Sequence, residues 1–220
     1  MTRPEEIARN VAAVTERIAA AARRSGREPA SVTLVAVSKT KPLEDLLAAY
    51  AAGIRAFGEN RVQEAEAKLP SLPAGVSRHL IGPLQSNKVN KAVRLFDVVE
   101  TVDSSALAER LDRAATQAGR RLAVLLEVNT GGETTKAGVA PADVPALADA
   151  VRARAALDLR GLMAIPPPGD TRPHFVALRE LARSLGLPEL SMGMSDDFEA
   201  AVEEGATLVR VGSALFGARG

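Results

Sequence analysis

The sequence has no cysteine and no tryptophan, and it has two histidines, His79 and His174, in 220 residues. Missing thiols exclude disulfides, thiolate metal centres and cysteine nucleophiles. Two histidines cannot build a histidine-rich metal site, and a Ser-His-Asp triad would have to use one of them. An excess of either charge is also missing, since 28 Lys and Arg face 27 Asp and Glu, for a formal charge of +1. That balance gives no electrostatic reason to expect nucleic acid or an anionic membrane as a partner. No apolar run is long enough to span a bilayer. Glu5, Glu6, Arg9, Glu16 and Arg17 interrupt the segment where a signal peptide would need an apolar stretch. The expectation is a soluble, cytoplasmic protein. Aromatic content of 3% offers no obvious interface, so a monomer is expected.

What is present is a regular alternation. Hydrophobic residues make up 46% of the chain, enough for one large globular domain, taken as residues 1–220. Ile7, Val11, Val14 and Ile18 recur at helical spacing and predict an amphipathic helix from about Arg3 to Arg24. Val32 to Val37 is a β-branched apolar run of strand length. Its near-continuous apolar character predicts a parallel strand covered on both faces. Further strands are predicted at Ile54–Phe57, His79–Ile81, Val98–Val99, Leu122–Val128, Leu159–Ile165, Leu190–Met192 and Thr207–Val211, with a helix in each gap. Eight strand–helix units in about 200 residues predict an α/β chain, a single (β/α)8 TIM barrel with an extra N-terminal helix. The alternative is an open doubly wound sheet, but the first strand runs into Ser38-Lys39-Thr40-Lys41-Pro42 without the glycines such a fold usually carries there.

Barrels of this kind place their chemistry at the C-terminal ends of the strands. Lys39 follows the first strand, where a partly dry barrel mouth would favour a neutral amine able to attack an aldehyde. The plain alternative is a snorkelling lysine, and Lys41 competes for the role. The loops after strands seven and eight often bind phosphate in such barrels. There Ser195 offers a hydroxyl, and Gly212 and Ser213 offer backbone N–H groups. Ser195 as an ordinary helix N-cap is the competing reading. Asp196 and Asp197, expected in the first helical turn, would repel an anion. Arg210 sits inside the last strand, where a charge needs a partner. That partner is either a carboxylate such as Glu59 or Glu127, or a cofactor ring. An aldehyde-seeking lysine, a phosphate cup and an arginine together suggest pyridoxal 5′-phosphate (PLP).

The motifs Ala36-Val37-Ser38-Lys39-Thr40-Lys41-Pro42, Gly58-Glu59-Asn60-Arg61-Val62-Gln63-Glu64 and His79-Leu80-Ile81-Gly82-Pro83-Leu84-Gln85-Ser86-Asn87-Lys88 resemble those of the pyridoxal phosphate homeostasis protein family. So do Leu162-Met163-Ala164-Ile165-Pro166, Ser191-Met192-Gly193-Met194-Ser195-Asp196-Asp197 and Arg210-Val211-Gly212-Ser213, and together they cover nearly the whole chain. The resemblance implies a Schiff base between PLP and Lys39, phosphate binding by Ser195, Gly212 and Ser213, Arg210 at the pyridine nitrogen, and Asn60 near the ring. It places His79 and Met163 on the pocket wall and makes 129–138, with Lys136, a mobile loop. The implied function is intracellular PLP homeostasis, by buffering or by delivery to PLP-dependent apo-enzymes, without metabolic turnover. The fold is similar to the N-terminal barrel of alanine racemase, where a tyrosine from a second domain serves as the second base. The one tyrosine here, Tyr50, reads as a buried residue of the first barrel helix. A permanently charged guanidinium at the ring nitrogen would also weaken PLP as an electron sink. A small PLP-dependent racemase and a Schiff-base aldolase without PLP are the competing enzyme readings.

Overall fold

The computed structural model describes residues 1–133 and 137–217. Its eight strands are β1 (Thr33–Val37), β2 (Ala56–Glu59), β3 (Ser77–Leu80), β4 (Val98–Val102), β5 (Leu122–Glu127), β6 (Leu157–Met163), β7 (Glu189–Ser191) and β8 (Leu208–Val211). They pair in parallel, each with the next, and β8 returns to β1 to close the barrel. Full closure leaves no strand edge open to another chain. The helices are α1 (Arg3–Arg24), α2 (Leu43–Ala51), α3 (Val62–Lys68), α4 (Val89–Leu95), α5 (Ser105–Gln117), α6 (Val144–Arg152), α7 (Arg172–Ser184), α8 (Phe198–Glu203) and α9 (Ser213–Phe216). Helices α2 to α9 each follow a strand, and α1 is the additional one. The fold is the expected (β/α)8 barrel with an N-terminal helix.

Side-chain alternation along the strands separates two cores. Val35, Ala56 and Leu208 pack inside the barrel on one side, and Val98, Ala123, Leu125 and Met163 on the other. The larger apolar layer lies between the strands and the surrounding helices and includes Phe57, Phe96, Phe175 and Phe198. Helix α1 adds the stripe Ile7, Val11, Val14 and Ile18, all buried against that layer. Burying one such side chain is worth about 1.5–3 kcal/mol.

Polar contacts then fix how α1 sits. The Arg3 guanidinium grips the Asp45 carboxylate of α2 at 2.7 and 3.2 Å and the carbonyl of Phe216 in α9 at 2.7 Å. Asn10 donates to the carbonyl of Leu215 at 3.0 Å. Arg17 lies over the ring of Phe198, 4.6 Å from its centre, and pairs with Glu199 of α8.

Some local expectations need correction. Strand β2 lies two residues later than its apolar run, because Gly53 and Ile54 still belong to the turn leaving α2. Strand β6 starts and stops two residues earlier, and Ile165 sits beyond it at 41% exposure. Tyr50 is half-buried rather than buried, with the Arg55 guanidinium 4.3 Å above its ring. Among the described residues no helix is long and apolar enough to cross a membrane, and no cluster of His, Asp and Glu is placed to hold a metal ion.

Candidate functional site

A cavity of about 500 Å³ opens at the C-terminal ends of the strands, and its wall includes all six residues singled out for cofactor binding: Lys39, Asn60, Ser195, Arg210, Gly212 and Ser213. Lys39 lies beyond the end of β1. The Ser38 N–H still bonds to Gly58 O at 3.0 Å, and the chain then turns through Lys39 and Thr40. Thr40 adopts φ +63°, a left-handed conformation that bulky residues rarely hold. Lys41 also reaches this wall, with its ammonium 3.4 Å from the carbonyl of Phe216.

The opposite wall is built by the exits of β7 and β8. Ser195 is not the cap of α8, because Asp197 is the residue that precedes Phe198. The Ser195 hydroxyl instead faces the start of α9, 3.4 Å from the N–H groups of both Gly212 and Ala214. A side chain at position 212 would meet the Cβ and carbonyl oxygen of Val37 at 3.3 Å, so glycine keeps this corner of the cavity open. Asp196 and Asp197 precede the helix rather than lying in its first turn. The Asp197 carboxylate accepts from the N–H of Met194 at 2.6 Å, and Asp196 is exposed. Two of the four large exposed apolar side chains, Ile165 and Met194, line this mouth.

Arg210 reaches the cavity from inside the barrel and is 3% exposed. Its partners are neither Glu59 nor Glu127. One Nη donates to the Ser191 hydroxyl at 2.6 Å and the other to the carbonyl of Ala164 at 2.9 Å. Behind Ser191 lies Glu100, buried in β4, which accepts the same hydroxyl at 2.5 Å. Its other oxygen is 2.6 Å from Nδ1 of His79, whose Nε2 is 2.9 Å from the Ser77 hydroxyl. A hydrogen-bonded chain thus crosses the barrel from Ser77 to Arg210. Burial would raise the Glu100 carboxyl. The hydrogen bond and charge of His79, the charge of Arg210 and the Ser191 hydroxyl outweigh it and hold Glu100 below its ordinary value. Burial likewise pulls Arg210 below its ordinary value, against the charges of Glu100, Glu127 and Asp197, yet a guanidinium remains charged at any ordinary pH. Two of its five N–H donors are engaged, which leaves capacity for an acceptor in the cavity.

His79 and Met163, expected on the pocket wall, are instead buried in the barrel interior and do not line the cavity. Lys136 and its two preceding residues fall outside the described part of the loop. A second, polar cavity of about 970 Å³ adjoins the first. It shares Lys39, Thr40 and Asn60 with it and extends to Arg61, Gln63, Gln85 and Lys88. The Asn60 side-chain oxygen is buried without a hydrogen-bond partner among the described residues, an open acceptor on the shared wall. Close packing at the β3 exit holds Asn60 in place. A side chain at Gly82 would lie 2.5 Å from the Asn60 carbonyl oxygen and 2.8 Å from its Cα.

Residues 10–220 match the family described as alanine racemase, N-terminal domain. A pyridoxal phosphate homeostasis protein of Pseudomonas aeruginosa is 51% identical, over 97% of this chain and 96% of the relative. One of Escherichia coli K12 is 42% identical, over 97% of each. Among solved structures, PipY of Synechococcus elongatus, determined with PLP bound, superposes with a TM-score of 0.81 at 47% identity. That match covers 93% of this chain and all of PipY.

Proposed function

The chain belongs to the pyridoxal phosphate homeostasis protein family, whose barrel is the alanine racemase N-terminal domain, and from that premise we propose that it binds PLP through Lys39 and serves to buffer or deliver the cofactor. The observation that carries this reading is the shared wall of one cavity: an amine from the β1 exit on one side, a hydroxyl and glycine-flanked N–H groups from the β7 and β8 exits on the other. When bound, PLP supplies an aldehyde for an amine and an aromatic ring able to accept electrons. The residues suit that group. Lys39 provides the amine, and Ser195, Gly212 and Ser213 provide neutral donors for the phosphate. Arg210 provides an uncommitted donor toward the ring, Asn60 an open acceptor, and Ile165 and Met194 apolar surface at the mouth.

The proposal of storage rather than turnover draws on what these side chains can do with a proton. A racemase needs an acid or base on each face of the reacting carbon. Among the described residues, the cavity wall holds no histidine and no tyrosine: His79 is sealed in the interior and Tyr50 lies on α2, and beside Lys39 the groups on the wall able to exchange a proton are Lys41, held 3.4 Å from the Phe216 carbonyl, and Asp196 at the exposed rim. Arg210 donates but does not accept a proton, so it disfavours charge on a ring nitrogen beside it. The exposed rim leaves the cofactor within reach of a partner, which suits hand-over to PLP-dependent apo-enzymes. The unit proposed is one cytoplasmic copy of residues 1–220.

Added PLP should turn the protein yellow, and borohydride should then fix one pyridoxyl group on Lys39, located by peptide mass. The Lys39→Ala variant should lose both signals and fail to load an apo-enzyme that the wild type loads. A protein that stays colourless with PLP, or carries the group on Lys41 alone, refutes the assignment. Measurable α-proton exchange on amino acids would refute the storage role.

A further inference from the structure

Lys68, the last residue of α3, is 7% exposed, a rare place for an ammonium group. The group lies 2.8 Å from the carbonyl of Ser38 and 3.3 Å from that of Lys41, the two carbonyls that bracket Lys39 and Thr40. It also lies 2.7 Å from a carboxylate oxygen of Glu59 and 3.0 Å from one of Glu64. Both acids grip the same turn. That Glu59 oxygen accepts the Ser38 hydroxyl at 2.7 Å, and that Glu64 oxygen accepts the N–H of Thr40.

One ammonium and two carboxylates therefore strap residues 38–41 through two carbonyls, one hydroxyl and one N–H. The strapped segment contains Thr40, the one non-glycine residue with positive φ among those described. Such a backbone persists only where its surroundings over-determine it. The arrangement is not one a stable core requires. Burial is costly for the Glu59 carboxylate, whose other oxygen is buried without a partner among the described residues. A lysine fixed by four acceptors, at the end of a helix and 29 positions beyond Lys39, makes its polar contacts among the described residues only to that turn and the acids beside it.

We propose that Lys68 is a positioning residue: with Glu59 and Glu64 it sets the backbone of residues 38–41 and so aims the Lys39 amine into the cavity. This rests on the reading of Lys39 as the PLP-holding amine. Misplacing a reacting group by about 1 Å costs up to about a hundredfold in rate, so the effect should be large where the fold is intact.

The test uses the full chain, PLP as the probe, and the variants Lys68→Met and Glu64→Ala. Thermal midpoints without PLP report on folding. The rate at which borohydride traps a pyridoxyl group on Lys39, and the visible circular dichroism of the bound chromophore, report on aim. Folded Lys68→Met should trap roughly tenfold or more slowly, and its visible dichroism should weaken or change sign. Glu64→Ala removes the outer strap without leaving a buried charge and should trap a few-fold more slowly at an unchanged midpoint. A purely structural lysine would lower the midpoint but leave rate and dichroism of the folded protein at wild-type values, and that result overturns the proposal. If Lys68→Met does not fold, Glu64→Ala decides by the same criterion. A wild type that traps nothing on Lys39 refutes the cofactor reading itself and this inference with it, whereas a normal wild type with normal variants refutes this inference alone.

Discussion

Replacing Glu127 with glutamine should abolish a pH-dependent weakness of the folded chain. Glu127 ends β5 inside the barrel and is 9% exposed. Among the described residues its carboxyl has no ion pair within reach and no hydrogen bond. Burial first, and then the charge of Asp103, push it up to about 7, against the pull of Arg210. Below its ordinary value of 4.5 the group is protonated in the folded and unfolded chain alike and costs nothing. Between 4.5 and about 7 the unfolded chain ionises first, so stability falls as pH rises, and above about 7 the full penalty applies. At ~1.4 kcal/mol per pH unit the penalty comes to roughly 3 kcal/mol. Glutamine keeps the shape and cannot ionise. Urea unfolding without added PLP should give similar midpoints for both proteins at pH 4.5. At pH 8 the Glu127→Gln midpoint should be higher by about 1 M, taking a slope of about 3 kcal/mol per molar. A gap between the two proteins that does not change from pH 4.5 to 8 would refute the reasoning.

Further outcomes follow from neighbouring contacts. Arg210→Met leaves the Ser191 hydroxyl and the Ala164 carbonyl short of a donor and should cost about 1–3 kcal/mol in urea unfolding. It also removes the cation that holds Glu127 down, so the pH window of that group should move upward. Gly82→Ala forces a methyl into the backbone of Asn60 and should cost about 1–3 kcal/mol, with weaker PLP binding in an absorbance titration. Arg3→Ala unties α1 from Asp45 and Phe216. Because that guanidinium is partly exposed, the thermal midpoint should fall by the equivalent of only about 1 kcal/mol.

Much of the architecture was readable because its signals are periodic. The extent of α1, about Arg3 to Arg24, follows from the apolar stripe Ile7, Val11, Val14 and Ile18, and the number of strands follows from β-branched runs separated by helical spacing. Strand ends were less readable. Ile54 and Ile165 are apolar for reasons of turn packing and cavity lining, so hydrophobicity misplaced β2 and β6 by two residues. Lys39 and Ser195 are legible by position, because barrel chemistry sits at strand exits, whereas Arg210 stands out by its charge inside a strand and Asn60 through the family resemblance alone. Lys68 was not legible: at the end of a short helix it reads as a solvated charge, and only the folded positions of Ser38 and Glu59 make it anything else. Glu100 could have been found. A lone carboxylate among Val98, Val99 and Val102 raises the same question that singled out Arg210, and the two turn out to share one hydroxyl.

Helix α9 carries part of the donor wall on one side and is moored to α1 on the other, through Arg3 and Asn10. The seam where β8 meets β1 is therefore buttressed from outside by a helix that takes no part in the barrel. The donor wall is thus held from its far side by a helix that lines neither cavity.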